Sequence, residues 1–242
     1  MEFHFTKVEK AFFEKAKLKK ISTKLPYITV DSFPKLGLLS ALSFLEWAGE
    51  NPKGVVSLST GKTAQHFIQF THLLLDNWND KKGKDILAKF NLSKLKKPDL
   101  SNLQFVQMGE FYPIKTEQHN SLCNYAQTHY IEGFGMKKEN ALLIDSEEIK
   151  LAKNKHFTEI FPDYQIDLSL RFREAKSSQE QLQKDSLFKI DNWCTNYENK
   201  IREKRGIGFF LGGIGPDGHI AFNTRGSDHF SSTRLTKTNF ET

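Results

Sequence analysis

The 242-residue sequence predicts an α/β fold with a mostly parallel sheet. Four short segments rich in apolar residues have the composition of strands that are buried on both faces. Segments with helical periodicity separate them, and this alternation is typical of a parallel sheet covered by helices. The predicted strands are residues 55–58, 103–108, 141–144 and 207–211.

The helices are predicted from apolar residues that recur at intervals of three and four. In one of them Phe67, Phe70, Leu73 and Leu74 form such a stripe, which indicates a face packed on the sheet. A further helix is expected near the N-terminus, over residues 8–18. The main helices are expected over residues 33–47, 63–78, 118–131 and 178–204.

The length suits a single α/β domain, since domains usually hold about 100 to 200 residues. Residues 1–50 are interpreted as an N-terminal helical extension with the first strand and helix, and residues 51–242 as the main domain. The hydrophobic fraction of 38% and the charged fraction of 26% are typical of a folded chain and exclude general disorder.

The net charge of +6 favours anionic partners. The lysine clusters at residues 15–20, 81–84 and 94–97 lack interleaved aromatic residues, so we interpret them as solvated helix ends and expect no nucleic-acid partner. The two cysteines, Cys123 and Cys194, lie far apart in predicted helices, which fits a reducing cytoplasm. No export signal or membrane-spanning segment is recognised, so a cytoplasmic location without a membrane partner is expected.

The first of two glycine-containing loops follows the strand at residues 55–58. Its sequence, STGKT, is similar to the end of a nucleotide-binding P-loop, but Val56 stands where that motif requires its first glycine. Backbone N–H groups at a helix N-terminus, with the hydroxyls of Thr60 and Thr63, suit a phosphate group instead. A plain helix cap is the alternative interpretation.

The second loop, residues 213–218, matches the pattern G-x-G-x-x-G of dinucleotide-binding proteins. In that motif the third glycine opens a helix and an acidic residue follows about 20 positions later, but Pro216 interrupts this loop and HIAFN follows it. Asp217 and His219 suggest another role, because a carboxylate beside an imidazole orients it for general acid and base catalysis. For an Asp-x-His pair alone, a surface turn is the alternative.

The longer segment GPDGHIAFN, residues 215–223, resembles the signature of the glucosamine-6-phosphate deaminases. The related 6-phosphogluconolactonases usually carry Thr-Ala-Ser-Leu-Phe after the histidine, so the IAFN run favours the deaminase branch. Three more segments resemble the family in the same order: the phosphate loop at residues 60–63, the second strand and catalytic loop at 105–112, and SSTR at 231–234. The resemblance covers roughly residues 50–242.

This resemblance implies a Rossmann-like three-layer fold and the conversion of glucosamine 6-phosphate and water to fructose 6-phosphate and ammonia. His219 would promote opening of the pyranose ring, and Asp217 would orient it. The residues implied to bind the sugar or its phosphate are Thr60, Gly61, Lys62, Thr63, Gly213, Gly215 and Arg234. A hexose phosphate is the expected ligand, and neither a cofactor nor a metal is expected, because neither glycine-containing loop satisfies its nucleotide pattern and no cluster has metal-ligand spacing. Homo-oligomerisation stays open.

The sequence departs from the family at the base that moves a proton from C2 to C1. The family usually supplies the aspartate of an Asp-Glu-Tyr sequence, whereas this chain has Gly109, Glu110 and Phe111, and glycine has no proton acceptor. Glu110 is the candidate replacement, although its family counterpart lies beside the aspartate. Thr224 stands where a carboxylate usually supports the histidine. The sequence also stops at Thr242, so the C-terminal part of the family fold is expected to be missing.

Two functions from different classes therefore stay open. The His219 loop and the phosphate loop favour an isomerising deaminase of amino-sugar catabolism. Gly109 and Thr224 favour a catalytically impaired sugar-phosphate binder. A lactonase needs no base at C2 and tolerates Gly109 better, but its motif matches less well. The structure around residue 109 should distinguish the deaminase from the catalytically impaired binder.

Overall fold

The fold is taken from a computed structural model, which describes residues 5–15 and 26–238. Its strands are β1 (Val55–Leu58), β2 (Gln104–Val106), β3 (Ala141–Leu142) and β4 (Phe209–Leu211). Its α-helices are α1 (Lys7–Lys15), α2 (Phe33–Glu50), α3 (Gln65–Asn77), α4 (Lys81–Lys89), α5 (Leu122–Ala126), α6 (Phe157–Ile160) and α7 (Ser178–Glu203). Within the described ranges, no helix combines the length and apolar character needed to cross a membrane.

The strands form one sheet with the order β3-β2-β1-β4. The central strand β1 runs parallel to both neighbours: Val55 pairs with Gln104 of β2, and Leu58 pairs with Leu211 of β4. The predicted α/β fold with a mostly parallel sheet is therefore confirmed. Because parallel neighbours end at the same edge, the chain leaves β1 and β4 from adjacent points of the sheet. The two glycine-containing loops begin at these points.

The predicted helices agree with the structure except near residue 118. That prediction is wrong at its start, because residues 118–121 form a turn in which the Ser121 amide donates to the Gln118 carbonyl at 2.9 Å. The helix begins only at Leu122 and continues after α5 as a π-helix, Gln127–Glu132. The helix α4 was not predicted, since Gly83 and its lysines weaken the apolar pattern. The predicted N-terminal helix is present as α1, and its last three residues lie outside the described ranges.

The chain divides into two compact units, and the first contains residues 1–105, 126–141 and 208–211. Its core is a cluster of aromatic rings: Phe44 lies edge-on to Phe67 with ring centroids 5.6 Å apart, and Tyr130 lies 5.7 Å from Phe105. Gly37 of α2 lets α3 approach closely, because an added Cβ would lie 2.4 Å from the His66 Cβ. The predicted stripe on α3 contributes Phe67 and Leu74 to this core as fully buried side chains.

The N-terminal helix α1 is anchored in the first unit by a buried carboxylate. Glu46 of α2 accepts hydrogen bonds from the amides of Lys7 and Val8 at 3.0 and 3.1 Å, which satisfies N–H groups at the start of α1. Phe12 of α1 stacks on Phe90 with ring centroids 4.3 Å apart. The predicted division at residue 50 stays a prediction.

The second unit contains residues 106–125, 142–207 and 212–242. Its core lies between α6, α7 and the segment before α6, and is built from Leu151, Ile160, Phe161, Ile190 and Cys194. Both cysteines of the chain are buried, and neither forms a disulfide with a described residue. Burial raises the pKa of the Cys194 thiol to about 11, so it stays protonated at neutral pH.

Candidate functional site

The loop after β1 is shaped by Gly61. Its φ of +100° and ψ of −168° form a conformation open essentially to glycine, which turns the chain into a short 3₁₀ helix, Lys62–Ala64, ahead of α3. The Tyr130 hydroxyl donates to the Ser59 carbonyl and fixes the start of the loop. The hydroxyls of Thr60 and Thr63 make no hydrogen bond with any described residue, so both stay available to a ligand.

The loop after β4 is a tight turn closed by its own backbone. Gly213 lies at its start, the Gly215 amide donates to the His219 carbonyl at 2.9 Å, and the Gly218 amide donates to the Gly215 carbonyl at 2.9 Å. Gly218 has a φ of +86°, which favours glycine. A Cβ on Gly215 would lie 2.0 Å from the His219 Cε1, so glycine at this position makes room for the imidazole. This geometry explains Gly215 and Gly218 without a dinucleotide.

Asp217 and His219 form a direct pair. The imidazole Nδ1 lies 2.5 Å from the Asp217 Oδ1, and the His219 amide donates to the same oxygen at 3.3 Å. Their side chains are 24% and 14% exposed, so the pair is accessible. When Nδ1 donates to the carboxylate, Nε2 is left as a proton acceptor, and it has no hydrogen-bond partner among the described residues. The arrangement suits a general base that takes a proton from a ligand hydroxyl.

Arg234 lies beside the end of the same motif. Its guanidinium donates to the Asn223 side-chain oxygen at 2.9 Å and to the Ser232 carbonyl at 3.4 Å. The neighbouring Thr233 donates through its amide and hydroxyl to Glu198 of α7, at 3.1 and 2.9 Å. Glu198 therefore holds the Arg234 segment in place.

The position of the expected base, residue 109, is covered by an aromatic ring. A Cβ on Gly109 would lie 2.8 Å from the Cδ2 and 2.9 Å from the Cε2 of Phe222. The Phe222 ring also packs against Phe111, with centroids 5.0 Å apart. The space into which a side chain at residue 109 would project is thus already filled, and it is filled by a group that cannot accept a proton.

Glu110, the candidate replacement base, caps a helix. Its carboxylate accepts hydrogen bonds from the Ser121 hydroxyl at 2.9 Å, from the amides of Leu122 and Cys123 at 3.1 and 2.7 Å, and from the Phe111 amide at 2.9 Å. A carboxylate offers about four acceptor sites, so these donors use its capacity. Three of these donors, the Ser121 hydroxyl and the amides of Leu122 and Cys123, lie at the start of α5, so Glu110 caps that helix.

A buried polar network holds the backbone next to Gly109. The Gln107 side chain donates to the Gly109 carbonyl at 2.9 Å and accepts from the Ile144 amide at 2.8 Å. The Tyr197 hydroxyl donates to the backbone carbonyls of Gln107 and Leu142 at 2.6 and 3.1 Å. Sequence reasoning missed this network, although a glutamine inside a predicted buried strand is a signal, since a buried amide needs partners.

Sequence comparison finds relatives over short parts of the chain, and no family model matches it. A glucosamine-6-phosphate deaminase of Borrelia hermsii is 36% identical over 97 residues, which cover 40% of this chain and 36% of the relative. A glucosamine-6-phosphate deaminase of Caenorhabditis elegans is 57% identical over 49 residues, covering 20% of this chain and 18% of the relative. Glucosamine-6-phosphate deaminase 2 of Homo sapiens is 64% identical over 42 residues, which cover 17% of this chain and 15% of the relative.

Comparison with solved structures also finds a glucosamine-6-phosphate deaminase. A solved structure described as a monomeric glucosamine-6-phosphate deaminase of the NagB superfamily matches with a TM-score of 0.58 and 17% sequence identity. The match covers 88% of this chain and 64% of that one, so this chain spans less than two thirds of the solved relative. The chain is thus similar in fold to this solved deaminase structure, and similar in short segments to curated glucosamine-6-phosphate deaminases, of which it spans about a third or less.

Proposed function

We propose that the chain binds a hexose 6-phosphate and opens its pyranose ring, but lacks the base for the proton transfer from C2 to C1. One observation supports this proposal above the others. The Asp217–His219 pair is assembled with Nδ1 2.5 Å from Oδ1, whereas the Phe222 ring fills the place of a side chain at residue 109. The chain would thus be a catalytically impaired relative of the deaminases.

Ring opening needs only groups that the described residues provide. The His219 Nε2 takes the proton of the anomeric hydroxyl, the C1–O5 bond breaks, and the same proton is returned to O5, which leaves an aldehyde at C1. Asp217 holds the ring orientation and stabilises the imidazolium that forms between these two transfers. By itself, the loop at residues 60–63 suits a phosphate group, through the hydroxyls of Thr60 and Thr63 and the backbone around Gly61.

The next step of the family reaction needs a base that removes the C2 proton. A positioned base contributes a factor of about 10² to 10⁴ to such a transfer. The alternative, in which Glu110 is that base and the chain is an active deaminase, requires the carboxylate to leave its five donors, which include the Gln107 side chain at 3.5 Å. The impaired function is therefore the better supported of the two. The hexose phosphate ligand and the cytoplasmic location belong to this proposal.

Exchange NMR on glucosamine 6-phosphate labelled with ¹³C at C1 tests the proposal. We expect the chain to accelerate the interconversion of the α and β anomers above the buffer rate, and His219→Asn to remove at least nine tenths of that acceleration. His119→Asn is the matched control, since His119 is an exposed histidine of the same unit. Equal acceleration by the His219→Asn variant, or none by the unmodified chain at saturating sugar, would contradict the proposal.

A further inference from the structure

The second unit contains a cavity that neither the ring-opening pair nor the phosphate loop uses. Its volume is about 620 Å³, within the range of about 300 to 1,000 Å³ that is usual for small-molecule sites. It lies between the segment around Pro113 and the residues on either side of His156. Every residue that lines it belongs to the same compact unit.

The floor and one wall of this cavity are apolar. Leu151 and Ile114 form part of the floor and are 4% and 8% exposed. Three aromatic rings lie in a row along the wall: Phe157 lies 5.8 Å from Tyr112 and 6.0 Å from Tyr164, measured between ring centroids. Tyr164 is 70% exposed, so the end of this row is open to a ligand. The rings are inclined to one another, by 79° between Tyr112 and Phe157 and by 44° between Phe157 and Tyr164, so the exposed Tyr164 ring is the one that suits stacking with a planar ring.

The rim of the cavity is basic. Lys115, Lys150 and Lys155 line it, against the single carboxylate of Glu147. Lys155 pairs with Glu159 at 3.3 Å. Lys115 and Lys150 are exposed and have no ion pair or hydrogen bond through their side chains with any described residue. Two ammonium groups are therefore free to bind an anion at the mouth of the cavity.

We propose that this cavity binds a small anion that carries a planar ring, of about the size of a nucleoside monophosphate. The ring stacks on Tyr164, with its edge toward Phe157 and Tyr112, and the anionic group binds Lys115 and Lys150 at the rim. The apolar floor excludes water from the stacked ring, which strengthens the attraction of the lysines for the anion. This proposal does not depend on the proposed function, because the two sets of residues are separate.

Calorimetric titration of the whole chain with AMP tests the proposal. Adenosine, which has the planar ring without the phosphate, and ribose 5-phosphate, which has the phosphate without the ring, are titrated for comparison. We expect AMP to bind at least tenfold more tightly than either part, with an affinity that falls as NaCl is raised. The double variant Lys115→Gln, Lys150→Gln should weaken AMP binding at least tenfold. Tyr164→Ala should weaken it about fivefold or more.

Lys53→Gln is the matched control, because Lys53 is an exposed lysine outside this unit without a recorded partner, and it should leave AMP binding unchanged. Thermal denaturation checks that each variant folds, which is expected because the substituted side chains are exposed. Equal binding of AMP and ribose 5-phosphate would overturn the proposal. So would AMP binding that persists in the double variant and disappears in Lys62→Gln, since this would place the ligand on the phosphate loop.

Discussion

The Phe222 ring lies over Gly109 so closely that a Cβ there would approach its Cδ2 to 2.8 Å. This contact joins the motif that carries His219 to the loop where the family places its C2 base. The proposed function separates ring opening from C2 deprotonation, and the variants below address each step.

Restoring a carboxylate at residue 109 should raise ammonia release from glucosamine 6-phosphate, provided that Phe222 gives way. We expect Gly109→Asp to increase the rate, and Gly109→Asp combined with Phe222→Leu to increase it further, because leucine removes the ring that overlaps the new Cβ. The full effect of a positioned base is about 10² to 10⁴, which sets the upper limit. Coupled assay of ammonia measures the rates.

Gly109→Asn is the control for these variants, since asparagine has the same size as aspartate but is not a base. Equal rates for the aspartate and asparagine variants would show that chemistry at residue 109 is not what limits turnover. A double variant slower than Gly109→Asp alone would show that the Phe222 ring does not obstruct the new side chain.

The helix cap formed by Glu110 should be visible as a loss of stability. Glu110→Ala should lower the free energy of unfolding by about 1 to 2 kcal/mol, which is the usual effect of removing a capping acceptor. Hydrogen exchange should accelerate at the amides of Leu122 and Cys123, which donate to that carboxylate. Glu117→Ala is the matched control, because Glu117 is an exposed acid nearby without a recorded hydrogen bond.

A different result for Glu110 would identify its carboxylate as the catalytic base. If Glu110→Gln abolished a measurable ammonia release while hydrogen exchange in α5 stayed unchanged, the carboxylate would act on substrate and the capping role would be wrong.

The buried hydroxyl of Tyr197 should contribute to stability through its two carbonyl acceptors. Tyr197→Phe removes the hydrogen bonds to Gln107 and Leu142, and we expect it to lower the free energy of unfolding by about 1 to 2 kcal/mol. Burial raises the pKa of this tyrosine far above its ordinary range, so the effect should not vary with pH around neutrality. Denaturant unfolding measures it, with Tyr164→Phe at an exposed ring as the control. Equal stability of the two variants would show that the hydrogen bonds of the Tyr197 hydroxyl do not stabilise the fold.

The stability of the fold should decrease at low pH, because the second unit contains an ion-pair network of three residues. Arg173 pairs with Asp167 at 2.8 Å and with Glu180 at 2.9 Å. Hydrogen bonds from Ser169 and Arg173 lower the pKa of Asp167 to about 2, and the hydrogen bond from Arg173 lowers that of Glu180 to about 2. Because both folded pKa values lie below the ordinary ones, the network stabilises the fold above about pH 4.5, and this contribution is lost as the pH falls toward 2.

Thermal midpoints between pH 6 and pH 2 test this network. The midpoint of Arg173→Gln should lie below that of the unmodified chain at pH 6, and the gap should close as the pH approaches 2. Arg225→Gln serves as the control, since Arg225 has no ion pair among the described residues. A gap that stays constant over the whole range would mean that the pairs do not contribute.

The sheet could be predicted from the sequence because its strand residues are apolar except for Ser57 of β1 and Gln104 of β2. The segment VVSL is buried along its whole length and became β1 with the predicted bounds. The start of the helix after residue 118 could not be predicted, because it depends on the carboxylate of Glu110, which lies outside that helix. Local periodicity does not report such a distant cap.

In the candidate site, too, some features could be predicted from the sequence and others could not. The Asp-x-His spacing alone left a surface turn open, and the resemblance of residues 215–223 favoured a pair; in the structure the His219 Nδ1 lies 2.5 Å from the Asp217 Oδ1. The contact between Gly109 and Phe222 joins residues far apart in the sequence, so no pattern within either segment predicts it. The partners of Gln107 and Tyr197 are also distant in the sequence, so the buried Gln107 indicated that partners were needed without identifying them.

Deuterium incorporation at C2 tests the central claim most directly. The chain is incubated with glucosamine 6-phosphate in D₂O, and ¹H NMR follows anomer interconversion and loss of the C2 proton in the same sample. We predict accelerated interconversion, through His219, without loss of the C2 proton above the buffer rate. Loss of the C2 proton with release of ammonia at an ordinary enzymatic rate would contradict the account, because some group other than residue 109 would then supply the base.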